Sequence, residues 1–323
     1  MDISIYQEAF LEYLQSQNIV KEPKNLYQPI DYILQLGGKR IRPVLTLLAT
    51  DIFSDSYKNA LPAALAVETF HNFTLIHDDI MDDAPLRRGK QTVHEKWNIN
   101  TGILSGDAML ILAYQYFENY EPIIFQKLAK LFSKTALEVC DGQQLDVDFE
   151  TRNNVTINEY INMIRLKTSV LVAAALKMGA IVAQADDKEA NLIYEYGLNL
   201  GIAFQLQDDY LDTFGNPETF GKQIGGDIIE NKKTYLYIKA LELSTTQNKK
   251  NLLSFYNQKV EENTQKIKEV TRIFEITEIP KYIKIQIEHY TQKAFKSIEG
   301  LKISSENKEK LVFFGLGLMN RTV

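Results

Sequence analysis

The sequence predicts an all-α protein organised as a single domain over residues 1–323, and three observations carry that expectation. Proline is absent from Ile123 to Asn216 and glycine is sparse there; an interior proline costs a helix about 3 kcal/mol, so such a span favours long helices. Apolar residues recur at helical intervals, as at Leu104, Ala108, Ile111 and Tyr114, and strict alternation is rare. The breaks are few and brief (Gly37-Gly38, Pro85 to Gly89, Gly142, Gly215-Asn216-Pro217, Gly225-Gly226), and none has the length of a linker, although 323 residues could make two domains.

Taken in order, the elements fit this pattern. Met1-Asp2-Ile3-Ser4 has neither the basic start nor the apolar run of a signal peptide. A helix is expected after Pro43, and another ends near Asp83, because the residue before Pro85 avoids helical geometry. The most apolar stretch, Val170 to Ala183, is interrupted by Lys177 and is shorter than the ~20 residues of a bilayer crossing, which makes it a core helix. From Ser244 to Lys268 the chain turns rich in Lys, Glu, Asn and Gln, the mark of amphipathic, exposed helices.

Composition narrows the function. Apolar residues make up 45% and charged residues 24%, ordinary for a globular protein. A net charge of −6 argues against a nucleic-acid partner, which would call for a basic face. The single cysteine, Cys140, excludes intrachain disulfides, fits a reducing cytoplasm and reads as a small buried apolar filler.

The chemistry starts at His77-Asp78-Asp79-Ile80-Met81-Asp82-Asp83, which has a partner at Gln207-Asp208-Asp209-Tyr210-Leu211-Asp212. Both follow apolar helical runs and precede a break, so their carboxylates face the negative end of a helix dipole. Asp78 and Asp82, like Asp208 and Asp212, are four apart and lie within ~40° on one helix face, where like charges repel. A hard divalent cation removes that repulsion, and oxygen-only donors select Mg²⁺ or Mn²⁺. Zinc is not expected, since the cysteine and the histidines His71, His77, His94 and His289 form no ligand set.

Compact basic groups lie close by: Gly37-Gly38-Lys39-Arg40-Ile41-Arg42-Pro43, Leu86-Arg87-Arg88-Gly89-Lys90, Gly221-Lys222 and Asn231-Lys232-Lys233-Thr234. Arginine binds phosphate oxygens through a forked pair of donors, lysine as a point charge. Acidic then basic, used twice, points to a metal–diphosphate site; no nucleotide-binding loop is present.

In this order the motifs resemble the trans-prenyl diphosphate synthase (polyprenyl synthetase) family, from Gly37 to about Thr234, together with Gly142-Gln143-Gln144-Leu145-Asp146, Lys167-Thr168 and Phe204-Gln205-Leu206-Gln207. The resemblance implies a helical bundle around a deep central cavity, usually homodimeric, and head-to-tail condensation of isopentenyl diphosphate with dimethylallyl, geranyl or farnesyl diphosphate. It implies three Mg²⁺ held by Asp78, Asp82 and Asp208, with Asp79, Asp209 and Asp212 assisting and Gln143 and Asp146 supporting the metal-bound waters. Lys39, Arg42, His71 and Arg88 would hold isopentenyl diphosphate; Arg87, Lys167, Lys222 and Lys232 the allylic diphosphate; Thr168 and Gln205 would line the reacting end. Gln91 departs from the family's usual proline, and Asn320-Arg321-Thr322-Val323 lacks the basic tail of some members.

In the family, bulky residues before the first acidic motif form the floor of the product cavity. Phe73 with the small Thr74 beside it resembles synthases that stop near C20; Phe70, nearer the Asp78 face, keeps C15 as the alternative. Two competing readings fare less well. A terpene cyclase should lack the set at Lys39, Arg42 and Arg88, and a non-catalytic partner subunit should have lost acidic ligands.

Overall fold

A computed structural model describes residues 3–54, 56–216, 224–257 and 263–319. The elements are α1 (Ser4–Gln15), α2 (Lys24–Gln35), α3 (Ile41–Phe53), α4 (Leu61–Met81), the two-stranded hairpin β1 (Leu86–Arg87) and β2 (Lys90–Gln91), α5 (Val93–Lys96), α6 (Ile99–Phe117), α7 (Pro122–Thr151), α8 (Ile157–Ile164), a π-helical turn Arg165–Ser169, α9 (Val170–Val182), α10 (Asp187–Phe214), α11 (Gly226–Ile229), α12 (Tyr235–Leu243), α13 (Thr246–Asn257), α14 (Asn263–Ile276), α15 (Ile279–Glu299) and α16 (Ser305–Met319). The all-α expectation holds, and the proline-free span supplies the longest helices, α7 and α10. Pro122 opens α7, and Pro43, Pro62 and Pro280 lie in first turns, where a helix needs no amide donor; Pro29, inside α2, is the exception. Side-chain caps fix several starts, among them Asn98 accepting from the Thr101 amide, Asp186 accepting from the Glu189 amide, and Thr156 with Glu159 forming a capping box. Among the described residues no helix is long and apolar enough to cross a membrane.

The chain divides into two compact units, one of Met1–Lys134 and Ala174–Ile193, the other of Thr135–Ala173 and Tyr194–Val323. In the first, α4 packs against α3 and α6. Small residues allow the close approach: Gly102 and Gly106 of α6 receive Ile80 and His77 of α4, and a Cβ on Gly102 would come 2.8 Å from Ile80 Cδ1. In the second, Phe149, Met163, Leu206, Leu236, Leu252, Val270, Phe274, Ile283 and Ile287 form the core. α15 buries Ile279, Ile283, Ile287, Thr291, Ala294 and Ile298, the amphipathic spacing expected of the C-terminal region.

One sequence expectation is corrected. Cys140 is exposed rather than a buried filler: α7 buries Val139, and the next residue is turned ~100° away. On α6 the buried face is Gly102, Ser105, Gly106, Met109, Ala113 and Phe117, which leaves Leu104 and Ile111 exposed at 60% and 59%. The helical spacing holds, and the contact with α4 is made by small residues that carry little hydrophobic signal.

Candidate active site

In the first unit α4 ends on the acidic motif. Asp78 and Asp79 lie in its last turns; Asp82 follows Met81, donating its amide to the Asp78 carbonyl at 2.9 Å. Asp83, in left-handed conformation (φ +49°), reverses the chain into the hairpin. Bonds from Ala84 N to the Asp79 carbonyl (2.9 Å) and from Thr92 Oγ1 to the Ala84 carbonyl (2.8 Å) tie the loop back. Arg87 therefore lands on Asp79: its Nε donates at 2.9 Å to both carboxylate oxygens and its second amino nitrogen at 2.7 Å to Oδ1. Asp79 is 1% exposed. The residues expected to assist the metal and to hold the allylic diphosphate thus hold each other.

His77, next to the motif, is a packing residue. Its ring seats on Gly106 and against Phe73, and its Nε2 is 3.2 Å from the Ile103 carbonyl.

The basic segment after α2 closes around the same helix. Arg88, at φ +53°, donates to the Gly37 carbonyl and lies over Gly38, where a Cβ would come 2.8 Å from its guanidinium carbon; Gly37 is needed instead for its left-handed backbone, φ +81°. Arg40, also left-handed (φ +50°), buries its guanidinium against Glu68 at 2.5 Å and donates to the Leu34 carbonyl. Arg42 is half-buried, and its buried Nε makes no hydrogen bond. Lys39 is exposed.

Burial, then the charges of Arg42, Arg88, Arg87 and Arg40, hold the His71 imidazole well below its ordinary pKa, so it is neutral at pH 7. Arg42 and Arg88 are themselves pulled down by burial; Glu68 partly offsets this for both, and Asp79 adds to the offset at Arg88. Arg40 is matched by Glu68 and Arg87 by Asp79, whereas among the described residues Arg42 and Arg88 form no ion pair. Two positive charges are left for an incoming anion. Sequence reasoning passed over Arg40 and Glu68; the available signal was one acid, Glu68, directly after the apolar run Ala63 to Val67 and before Phe70.

The chain-length candidates lie on α4 as well. Phe70 is sealed, 1% exposed, with ring centres 5.0 Å from Phe132 and 5.4 Å from Phe73. Phe73 is half-buried, and Thr74 Oγ1 donates to the His71 carbonyl at 2.8 Å.

In the second unit the π turn carries Lys167 and Thr168, and extra backbone width at such turns often marks function. Glycines make room for it: a Cβ on Gly142 would overlap the Lys167 backbone, and one on Gly201 would lie 2.8 Å from Ser169. Lys167 Nζ is 2.5 Å from Asp146 Oδ2, and Thr168 Oγ1 donates to Gln205 Oε1 at 3.4 Å. Gln143 is half-buried on α7.

Asp208, Asp209 and Asp212 lie near the end of α10. Asp209 is buried, accepting from the Tyr160 hydroxyl and from Gln205 Nε2 at 3.3 Å. Burial pushes its carboxyl well above the usual range, the Asp227 charge adds to this and Asp208 contributes, while the two donors pull it down. Asp227 was missed from the sequence; it starts α11, its amide donating to Asp212 Oδ2 at 3.1 Å, and the pair Gly225-Gly226 before it was the signal. Lys232 lies 2.7 Å from Glu230 and 3.9 Å from Asp227; burial lowers its pKa, but Asp227 and Glu230 outweigh that and raise it. Lys266 braces this loop by donating to Asn231 Oδ1 at 2.6 Å and the Ile229 carbonyl at 3.3 Å. Lys222 lies outside the described residues.

The acidic residues fit a hard divalent cation. Burial, with the charges of Asp227 and Asp208, disfavours ionisation of Asp209, which a nearby dication would reverse, and the donors are all oxygen. Asp78 and Asp82 offer oxygens alone at the end of α4.

Residues 23–274 match the polyprenyl synthetase family model. The chain is 45% identical over 225 residues to a geranylgeranyl diphosphate synthase of Methanosarcina mazei, covering 69% of each sequence. It is 35% identical over 318 residues to one of Saccharolobus solfataricus, covering 96% of this chain and 95% of that one. Among solved structures, a geranylgeranyl pyrophosphate synthase superimposes with a TM-score of 0.95 at 55% identity, covering 99% of both chains.

Proposed function

This chain belongs to the polyprenyl synthetase family, and we propose that it condenses isopentenyl diphosphate head to tail with allylic diphosphates, ending at geranylgeranyl diphosphate (C20). The observation that carries this is the pair Arg42 and Arg88, two arginines without ion-pair partners among the described residues, beside a neutral His71. A diphosphate supplies the missing charge, through charge-assisted bonds to the guanidinium groups, and the neutral imidazole can donate one further hydrogen bond to it.

The residues that would hold Mg²⁺ are Asp78 and Asp82 at the end of α4 and Asp208 and Asp212 near the end of α10; a cation bound there would supply charge neutralisation for a departing diphosphate. The chain's own residues do the rest. Lys167, held by Asp146, and Lys232, held by Asp227 and Glu230, present ammonium groups to the leaving group. Thr168 and Gln205 hold each other and turn oxygen dipoles towards the allylic cation. The cation is attacked by the double bond of isopentenyl diphosphate; a proton is then lost, with the released diphosphate as acceptor.

The product assignment rests on the relatives' names and on Phe73. With Phe70 sealed against Phe132, Phe73 is the ring left to close the cavity. The exposed apolar face at Leu104 and Ile111 supports a homodimer built on α6. The free, exposed Cys140 fits a reducing cytoplasm.

Incubation with labelled isopentenyl diphosphate, Mg²⁺ and each allylic primer tests the proposal. Incorporation with a C20 end product is expected; no incorporation with any primer overturns it.

A further inference from the structure

We propose that Asp83, His94 and Glu95 form a further divalent-cation site, for a borderline transition ion such as Zn²⁺ or Co²⁺ rather than Mg²⁺. The His94 side chain is 4% exposed, and neither ring nitrogen makes a hydrogen bond among the described residues. Buried polar groups are almost always paired, and an imidazole with both nitrogens orphaned calls for an absent partner. The remaining ligands are at hand: Glu95 Oε1 lies 3.8 Å from His94 Nε2, and one donor atom from each of the three residues falls within 4.8 Å of the others.

Zinc bonds of about 2.1 Å put ligand atoms roughly 3.3–4.2 Å apart, so the site is slightly open. Asp83 and Glu95 are the exposed members, able to swing inward and to admit an ion from solvent, while the buried His94 is fixed. A single imidazole with two carboxylates favours a borderline ion over Mg²⁺, and the unfilled positions would take water. The histidines show no metal-ligand spacing among themselves; this set becomes visible only when the hairpin brings residue 83 beside residues 94 and 95.

The location gives the site a role. Asp83 precedes the hairpin and His94 and Glu95 follow it, so a bound ion closes the base of the loop that carries Arg87 and Arg88. It would act as a clip alongside the bonds from Thr92 to Ala84 and Pro85.

The test uses the whole enzyme with saturating Mg²⁺, which fills the oxygen-only motifs, and Co²⁺ or Zn²⁺ as probe. The chain has four histidines, so a long-range proton–nitrogen spectrum resolves each imidazole. One equivalent of Co²⁺ should shift or broaden His94 alone, and Zn²⁺ should raise the melting midpoint by several degrees. Glu95→Gln and Asp83→Asn, both at exposed positions, should weaken Co²⁺ binding about tenfold or more without unfolding the protein. Glu95→Gln should leave turnover in Mg²⁺ unchanged. The proposal is overturned if His94 does not respond, if another histidine responds instead, or if both variants bind Co²⁺ as the wild type does. A His94 signal that follows pH but ignores metal marks a plain ion pair with Glu95 and overturns it equally.

Discussion

Arg87 closes a forked ion pair on the buried carboxylate of Asp79, eight residues earlier in the chain. The pair joins the end of the catalytic helix to the hairpin, so its loss should be felt in both stability and activity. Arg87→Ala leaves a buried charge unmatched and should cost about 3 kcal/mol, the lower end for breaking a buried pair, because Arg87 keeps some exposure. Arg87→Lys should recover only part of this, as a lysine cannot fork. Urea unfolding of both variants and of Arg87→Ala/Asp79→Asn would measure the coupling; an additive double variant means the pair contributes nothing.

The acidic motifs should matter for turnover more than for folding. Asp208→Ala should lower turnover by at least ~10²-fold, as losing a key electrostatic stabiliser does. The fold should survive, since the removed charge opposes the helix dipole. Full activity in excess chelator would remove the metal from the account.

His71 gives stability a pH dependence whose sign follows from its surroundings. Its folded-state pKa is depressed, by burial first and then by four arginines, whereas in the unfolded chain it titrates near ~6.5. Below that pH the unfolded state binds the extra proton, so the contribution is complete above ~6.5 and is lost as pH falls. Between about pH 7.5 and 5.5, wild type should lose more stability than His71→Gln. Parallel pH profiles of the two would refute this.

Product length should respond to Phe73 before Phe70. Phe73→Ala should lengthen the products; Phe70→Ala should add to the shift but cost about 3–5 kcal/mol, because it leaves a hole in an aromatic core. Chromatography of dephosphorylated products reads this directly, and an unchanged distribution in the double variant places the floor elsewhere.

The exposed face of α6 should govern assembly. Leu104→Glu with Ile111→Glu should convert a dimer to a monomer in light scattering, with helicity unchanged. A wild-type chain that is already monomeric at working concentration refutes the homodimer.

How much of this was legible beforehand depended on the kind of signal. The long helices and the acidic ends of α4 and α10 follow from proline placement and charge spacing, which are local in sequence. The partners of those charges were not legible. Asp79 with Arg87, Lys167 with Asp146, and Asp209 with Tyr160 are contacts set by how a turn bends or two helices cross, and no periodicity encodes them. Asp227 was hidden because a lone acid after two glycines looks like any turn. The buried face of α6 was not legible because glycine and serine, not leucine, make the contact.

That same contact has a consequence for how the enzyme can be altered. The Gly106 surface on which His77 rests, and the Gly102 surface under Ile80, set the height at which the next residue, Asp78, leaves its helix. A methyl group added at either glycine would strike these side chains and, where they cannot swing aside, push the end of α4 and its carboxylates outward. The placement of the acidic motif can therefore be retuned from a neighbouring helix.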